Sequence, residues 1–293
     1  MNQNLPGRID ISAAFDRVAE RYQQHAALEQ EVCSRLLERL AFQRLVPHRI
    51  IDLGSGTGHS TRALKRQFPR VEVIALDVSL SMCQELRRKS GFFRPVRPVC
   101  ADFAQLPFAG RCADLLFSNL AMQWCGDFHA LTAGFRRVLR TDGLLLFSTL
   151  GPGSLREFRL TGEPAGQNSP MSPLVRPFAD MHDIGDALLA AGFSEPVVDS
   201  QIITTEYQNF ERLLTDLEWT GASTHFADWQ QWTVASPSAA SYEALRRQGC
   251  LPVTWEIVFG AAFGPPEGQP IKTREGDIAA FSVDSLRGSR RPK

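Results

Sequence analysis

Apolar residues recur at helical spacing from Ser12 to Leu45, where Phe15, Val18, Ala19 and Tyr22 form one stripe and Val32, Leu36, Leu37 and Leu40 another, so the chain is predicted to open with two helices. The period then changes. Short apolar runs at Arg49 to Leu53, Val71 to Asp77, Val96 to Ala101, Ala113 to Asn119 and Gly143 to Leu150 read as strands, and helical patterns at Ser60 to Phe68, Ser79 to Lys89 and Phe128 to Leu139 separate them. Strands alternating with helices in this way build a parallel sheet covered on both faces. Asp180 to Ala191 reads as a further helix stopped by Gly192, Pro196 to Tyr207 alternates like an antiparallel strand, and Thr254 to Ala262 supplies the last strand. The predicted fold is α/β, a mostly parallel sheet with an antiparallel strand near the C-terminal end and helices on both faces.

Two stretches interrupt the alternation. Residues 151–177 are rich in Pro, Gly and Ser, and residues 210–249 form a helical insertion carrying Trp219, Trp229 and Trp232; both leave the sheet and are expected to cap it. A single domain over 1–264 is expected, followed by a polar, Pro/Gly-rich tail over 265–293 that cannot bury enough apolar surface to order itself and is expected to be mobile. Lys plus Arg and Asp plus Glu number 32 each, so the formal charge is zero and nothing in the overall balance points to nucleic acid or a membrane as partner. No run approaches the ~18 consecutive apolar residues of a spanning helix, and Met1 to Asp10 lack an apolar core, so a cytoplasmic protein is expected. The six cysteines are scattered, without a C-x-x-C pair or Cys/His zinc spacing, which predicts reduced, packed thiols and no metal.

The chemistry concentrates where the first strand ends. Ile50-Ile51-Asp52-Leu53 runs into Gly54-Ser55-Gly56-Thr57-Gly58 and then a helical pattern, a strand-loop-helix turn of the kind that cradles a nucleotide-like ligand. The spacing excludes two ligands. A dinucleotide fingerprint would need a third glycine at His59, and a P-loop would need Lys-Ser or Lys-Thr after the glycines. What remains resembles motif I of the class I methyltransferases that bind S-adenosylmethionine (SAM). Val71 to Asp77 is an apolar strand ending in a carboxylate, placing Asp77 to accept both ribose hydroxyls, and Asp102-Phe103 at the next strand end offers an acid for the adenine amino group and a ring for its face. The cofactor set is completed by Asp52, Ser55, Val78, Met82 and Asn119.

Further along, Phe15 to Tyr22 followed by His25-Ala26, then Ser118-Asn119-Leu120-Ala121-Met122-Gln123-Trp124-Cys125, then Phe147 to Leu150 with Gly153-Ser154-Leu155, resemble the BioC family. Gly221-Ala222-Ser223 and Leu251-Pro252-Val253-Thr254-Trp255 extend the resemblance over about Ile11 to Gly264, with Trp255 where a tyrosine is usual. The resemblance implies a class I methyltransferase, Rossmann-like fold and methyl transfer from SAM to the free carboxylate of a malonyl thioester, on acyl-carrier protein or CoA, giving the methyl ester that starts pimeloyl synthesis for biotin. It implies that Tyr22, Asn119, Gln123 and Trp124 position the reactants, with no general base; His25, Thr149 and Arg156 are expected around the substrate. Arg246-Arg247, closing the insertion, are expected to meet the acidic carrier protein. Two alternatives stay open: a small-molecule methyltransferase of quinone or polyketide type, and a non-catalytic SAM-binding regulator.

Overall fold

The computed structural model describes residues 8–90, 96–161, 175–226, 229–266, 271–273 and 276–278. Three helices rather than two precede the sheet, α1 (Arg8–Val18), α2 (Tyr22–His25) and α3 (Ala27–Ala41), because Ala26 takes a non-helical ψ of 46° and separates the last two. Then follow β1 (Arg49–Leu53), α4 (His59–Gln67), β2 (Glu72–Asp77), α5 (Leu80–Lys89), β3 (Arg97–Cys100), β4 (Ala113–Asn119), α6 (Phe128–Val138) and β5 (Leu139–Leu150). The remainder comprises α7 (Arg156–Thr161), α8 (Met181–Ala190), β6 (Ser194–Tyr207), α9 (Phe210–Trp219), α10 (Pro237–Glu243) and β7 (Leu251–Phe263). A short antiparallel pair, β8 (Ile271–Thr273) and β9 (Gly276–Ile278), stands within the stretch expected to be a mobile tail, most of which lies outside the described residues, as do 162–174 of the first capping stretch.

The seven-stranded sheet has the order β3-β2-β1-β4-β5-β7-β6. Strands β1 to β5 are parallel; β7 pairs antiparallel with β5 on one side and with β6 on the other, so it is β7 that runs against the rest. Alternate side chains of one strand enter different cores: Leu115, Phe117, Leu144 and Leu146 pack with Val32, Leu36 and Leu40 of α3, whereas Leu116 and Leu145 pack with Phe135, Ile184 and Leu188. Burial on both faces explains why these strands read as continuous apolar runs.

The topology also fixes where a ligand sits. From β1 the chain steps outward to β2 and β3, then returns to the other side of β1 for β4, so the order reverses between β1 and β4. A crevice opens at such a reversal beyond the carboxyl ends of the strands. The glycine loop after β1 and the turn Leu120 to Trp124 after β4 face each other there. The 210–249 insertion covers it from one side, anchored by an aromatic cluster in which Phe158 lies 4.8 Å from both Trp232 and Tyr242, and by the Tyr242 hydroxyl donating to the Pro252 carbonyl at 2.8 Å.

Candidate active site

The glycine loop is pinned at its base, since the Gly54 and Ser55 N–H groups both donate to the Leu76 carbonyl at 2.8 and 3.0 Å. Its three glycines serve different ends. All have positive φ, but a Cβ on Gly54 would collide with the side chain of Ala121 and one on Gly58 with Leu86, whereas one on Gly56 would meet only Tyr22 Cε1, at an ordinary contact distance of 3.8 Å. Only Gly56 leaves its room to a ligand; Gly54 and Gly58 leave theirs to packing.

Asp77 stands beside this opening, 7% exposed, with one oxygen accepting the Gly56 N–H at 2.8 Å and the other the Ser79 N–H at 2.9 Å. Burial pushes its carboxyl up to about 6 against those hydrogen bonds, and each oxygen keeps a lone pair for an incoming hydroxyl. Asp52 differs from its expected role. It is wholly buried and does not line the cleft: one oxygen accepts the Ser60 and Thr61 hydroxyls at 2.7 and 2.5 Å, tying β1 to α4, while the other has no partner and burial raises the carboxyl to about 6. Asp102 caps the turn beyond β3 by accepting the Ala104 N–H at 2.8 Å, and Phe103 lies against the Gly54 side of the loop. Val78 gives its carbonyl to the Ser12 hydroxyl at 3.1 Å, and Met82 is buried in the first turn of α5.

Two connected clefts occupy the crevice. The outer, of about 400 Å³ counting its mouth, is lined by Tyr22, Glu29, Ser55, Gly56, Thr57 and Asn119 among others. The inner, of about 350 Å³ on the same count, has walls of Phe15, Leu120, Trp124, Leu150 and Trp255, with Tyr22, Glu29, Gln123, Thr220 and His225 as polar members. Tyr22 and Glu29 line both and stand at their junction. Of the residues expected to position the reactants, the structure thus brings together Tyr22, Asn119, Gln123 and Trp124. Asn119 is heavily engaged, donating to the Glu29 carbonyl at 2.9 Å and accepting from the Ser148 hydroxyl at 3.0 Å. Gln123 donates to the Leu120 carbonyl at 2.7 Å, and Thr149, buried behind it, donates to its side-chain oxygen at 3.5 Å rather than reaching the cleft.

Besides Asp52 and Thr149, three further expectations are corrected. His25 pairs through Nδ1 with Asp216 at 2.6 Å and so latches α2 to α9 instead of facing substrate. Arg156 is 61% exposed, points its guanidinium at Glu157 (3.4 Å) and lines neither cleft. Arg246 is spent internally, on Glu243 and on the carbonyls of Gln208 and Gly249, which leaves Arg247 as the exposed member of that pair.

Two residues escaped the sequence reading. Glu29 carries one carboxylate oxygen that is sealed from solvent without a partner, and burial raises its carboxyl to about 7; it is a charged position on the otherwise apolar stripe that continues with Val32 and Leu36. His225 follows Gly221-Ala222-Ser223 and is buried, with Nε2 unpartnered. These features fit SAM. The opening at Gly56 admits a chain, Asp77 offers two acceptors to ribose hydroxyls, and the orphaned Glu29 oxygen matches an ammonium group.

Residues 51–147 match the family described as a methyltransferase domain. The chain is 41% identical to a malonyl-[acyl-carrier protein] O-methyltransferase of Gallionella capsiferriformans over 90% of this chain and 93% of that one. It is 37% identical to one of Halorhodospira halophila over 96% of each. Among solved structures, the YcgJ protein of Bacillus subtilis shares the fold, with a TM-score of 0.56 at 17% identity over 80% of this chain and 99% of that one.

Proposed function

The chain belongs to the malonyl-[acyl-carrier protein] O-methyltransferases, a SAM-dependent family of biotin synthesis, and from that membership we propose that its substrate is the free carboxylate of a malonyl group carried as a thioester on acyl-carrier protein. Bound SAM supplies a methyl group on a positively charged sulfur; a C–O bond forms as the C–S bond breaks, the electron pair stays with sulfur, and a neutral methyl ester results. A carboxylate with a pKa near ~4 is already ionised at neutral pH, so the chain need supply no general base. Its residues act by placement. Asp77 and the Gly56 opening hold the cofactor, Tyr22 and Glu29 stand where cofactor and substrate clefts meet, and Trp124, Leu150 and Trp255 exclude water from the acyl chain.

The observation that carries this reading is the inner cleft, whose described lining is mostly aromatic and aliphatic with few polar members and contains no Lys or Arg. A short acyl end suits it, and a non-catalytic binder would have no use for it. We place the enzyme in the cytoplasm; among the described residues no helix is long and apolar enough to cross a membrane. The test compares methyl transfer from labelled SAM to malonyl-acyl-carrier protein, malonyl-CoA and free malonate. Preference for the carrier-bound thioester is expected; methylation of free malonate as efficiently as the thioesters would overturn the reading.

A further inference from the structure

We propose that His225 is the residue that fixes the malonyl carboxylate, donating a hydrogen bond from Nε2 to one oxygen so that the other is presented to the methyl group. This rests on the malonyl reading of the same cleft.

A carboxylate entering the inner cleft sheds water and needs hydrogen-bond donors in return. The polar members of the wall are few. Thr220 already gives its hydroxyl to the Asp216 carbonyl at 2.8 Å, Gln123 has committed one N–H to Leu120, Glu29 carries the same charge type as the substrate, and the Tyr22 hydroxyl belongs to the junction with the outer cleft. His225 Nε2, in contrast, is buried and has no partner at all. Buried polar atoms in folded proteins are nearly always satisfied, and an unsatisfied one on a side chain that lines a ligand cleft has the ligand as its natural partner.

The ring is held rigidly. It stacks on Trp124 with centroids 3.9 Å apart and planes 8° from parallel, meets the edge of Phe178 at 4.8 Å, and its backbone carbonyl accepts the Arg176 N–H at 2.8 Å. An arrangement locked by packing costs no reorganisation when substrate arrives. Trp124 thereby gains a purpose beyond walling the cleft, since it sets the plane of the imidazole.

The neutrality of this donor matters to the chemistry. Burial, helped by the Arg176 charge, lowers the imidazole to about 3, so it meets the substrate uncharged. A cation paired with the carboxylate would stabilise the ground state and draw electron density from the attacking oxygen, an interaction lost as the ester forms and therefore unfavourable to rate. A neutral N–H orients the group while leaving its negative charge available. That accounts for a cleft whose described lining has no Lys or Arg while its substrate is an anion.

His225→Phe keeps the stacked ring and deletes the donor; His225→Gln restores an N–H near the Nε2 position. With the SAH-loaded protein, wild type is expected to bind a malonyl thioester more tightly than its neutral methyl ester. His225→Phe should lose that preference and show kcat/KM for malonyl-acyl-carrier protein roughly 10- to 100-fold lower, with SAH affinity unchanged within about twofold, while His225→Gln recovers part of the loss. In wild type with histidine 15N labels, the His225 Nε2–H signal should shift on adding the malonyl thioester, a measurement that needs no folded Phe variant. An unmoved signal, or a His225→Phe protein that keeps both kcat/KM and the preference for the acid, overturns the proposal. Failure of wild type itself to methylate any malonyl thioester would instead sink the substrate reading beneath it.

Discussion

Ribose recognition by Asp77 can be separated from its structural duty by varying the ligand together with the side chain, and the geometry dictates how. The carboxylate holds the Gly56 and Ser79 N–H groups, so Asp77→Ala would orphan two backbone donors and confuse loop integrity with ligand affinity. Asp77→Asn keeps the size of the side chain, removes the charge and turns one acceptor into an NH2, so it gives up one of the two backbone contacts where Ala gives up both, and the ligand comparison below cancels that shared loop effect. The two outward lone pairs then lose their charge-assisted bonds to the ribose hydroxyls, at about 1.5–3 kcal/mol, or roughly 10- to 100-fold in SAH affinity. Calorimetry should be run in a cycle, with SAH and an analogue lacking both ribose hydroxyls against wild type and variant. Wild type is expected to discriminate between the ligands by that factor and Asp77→Asn to discriminate far less. The pH dependence has a fixed sign. Burial raises the carboxyl from 3.8 to about 6, so the ligand-free fold is best served by the protonated form and loses that contribution as pH rises through about 6. Hydroxyl donors favour the charged form, so SAH affinity should fall as pH drops below about 6, and less so in the Asn variant. Equal ligand ratios in the two proteins would show that Asp77 serves the loop alone.

Glu29 gives a second linkage. Burial raises it from 4.5 to about 7, so its contribution to the ligand-free fold is present below the unfolded value and lost as pH rises through about 7. Glu29→Gln should therefore stabilise the ligand-free protein at about pH 8 by on the order of 1–3 kcal/mol and leave stability near pH 4 unchanged, as urea melts at the two pH values would register; no gain at the higher pH would refute an ionised, unpaired Glu29. The glycines should separate: both substitutions carry positive-φ strain, but Gly56→Ala, whose Cβ meets only Tyr22 at ordinary contact distance, loses SAH affinity with the smaller loss of Tm, whereas Gly54→Ala, driven into Ala121, loses Tm the more. Thermal melts and calorimetry on both variants returning the reverse order would contradict the roles assigned here.

The contrast between those glycines marks how far local sequence can be read. The strand ends at Leu53 and Asp77 were legible because apolar periodicity and positive-φ requirements are written in consecutive residues. What each glycine is for was not, because Ala121 and Leu86 reach Gly54 and Gly58 through the fold. His25 failed in the same way. A polar residue early in a helix says nothing of its partner, and Asp216 lies on the insertion, brought to it only by packing. Arg246 looked like a free steering charge because neighbouring arginines do in sequence, yet the strand and loop around Gln208 and Gly249 consume its donors. Glu29 and His225 could have been found from single anomalies, an acid on an apolar stripe and a histidine beside a glycine turn. Nothing local, however, distinguishes an unpartnered buried atom from a satisfied one.

The turn after β4 explains why cofactor and substrate meet in fixed register. Leu120 adopts φ 46°, a left-handed conformation disfavoured for a branched side chain, and it is held there by its N–H on Ser148 and by its carbonyl accepting from Gln123. Ser148 in turn donates to Asn119, which reaches across to the Glu29 carbonyl and so fixes the start of α3. On the other side, Ala121 packs where Gly54 lacks a Cβ, coupling the same turn to the glycine loop. One strained segment thus supports the floor of the outer cleft through Asn119 and of the inner through Leu120, Gln123 and Trp124. For a displacement that requires oxygen, carbon and sulfur in line, a shared support matters more than any acid or base: a shift of the turn would move both floors together, and the alignment between them would survive where two independent loops would lose it.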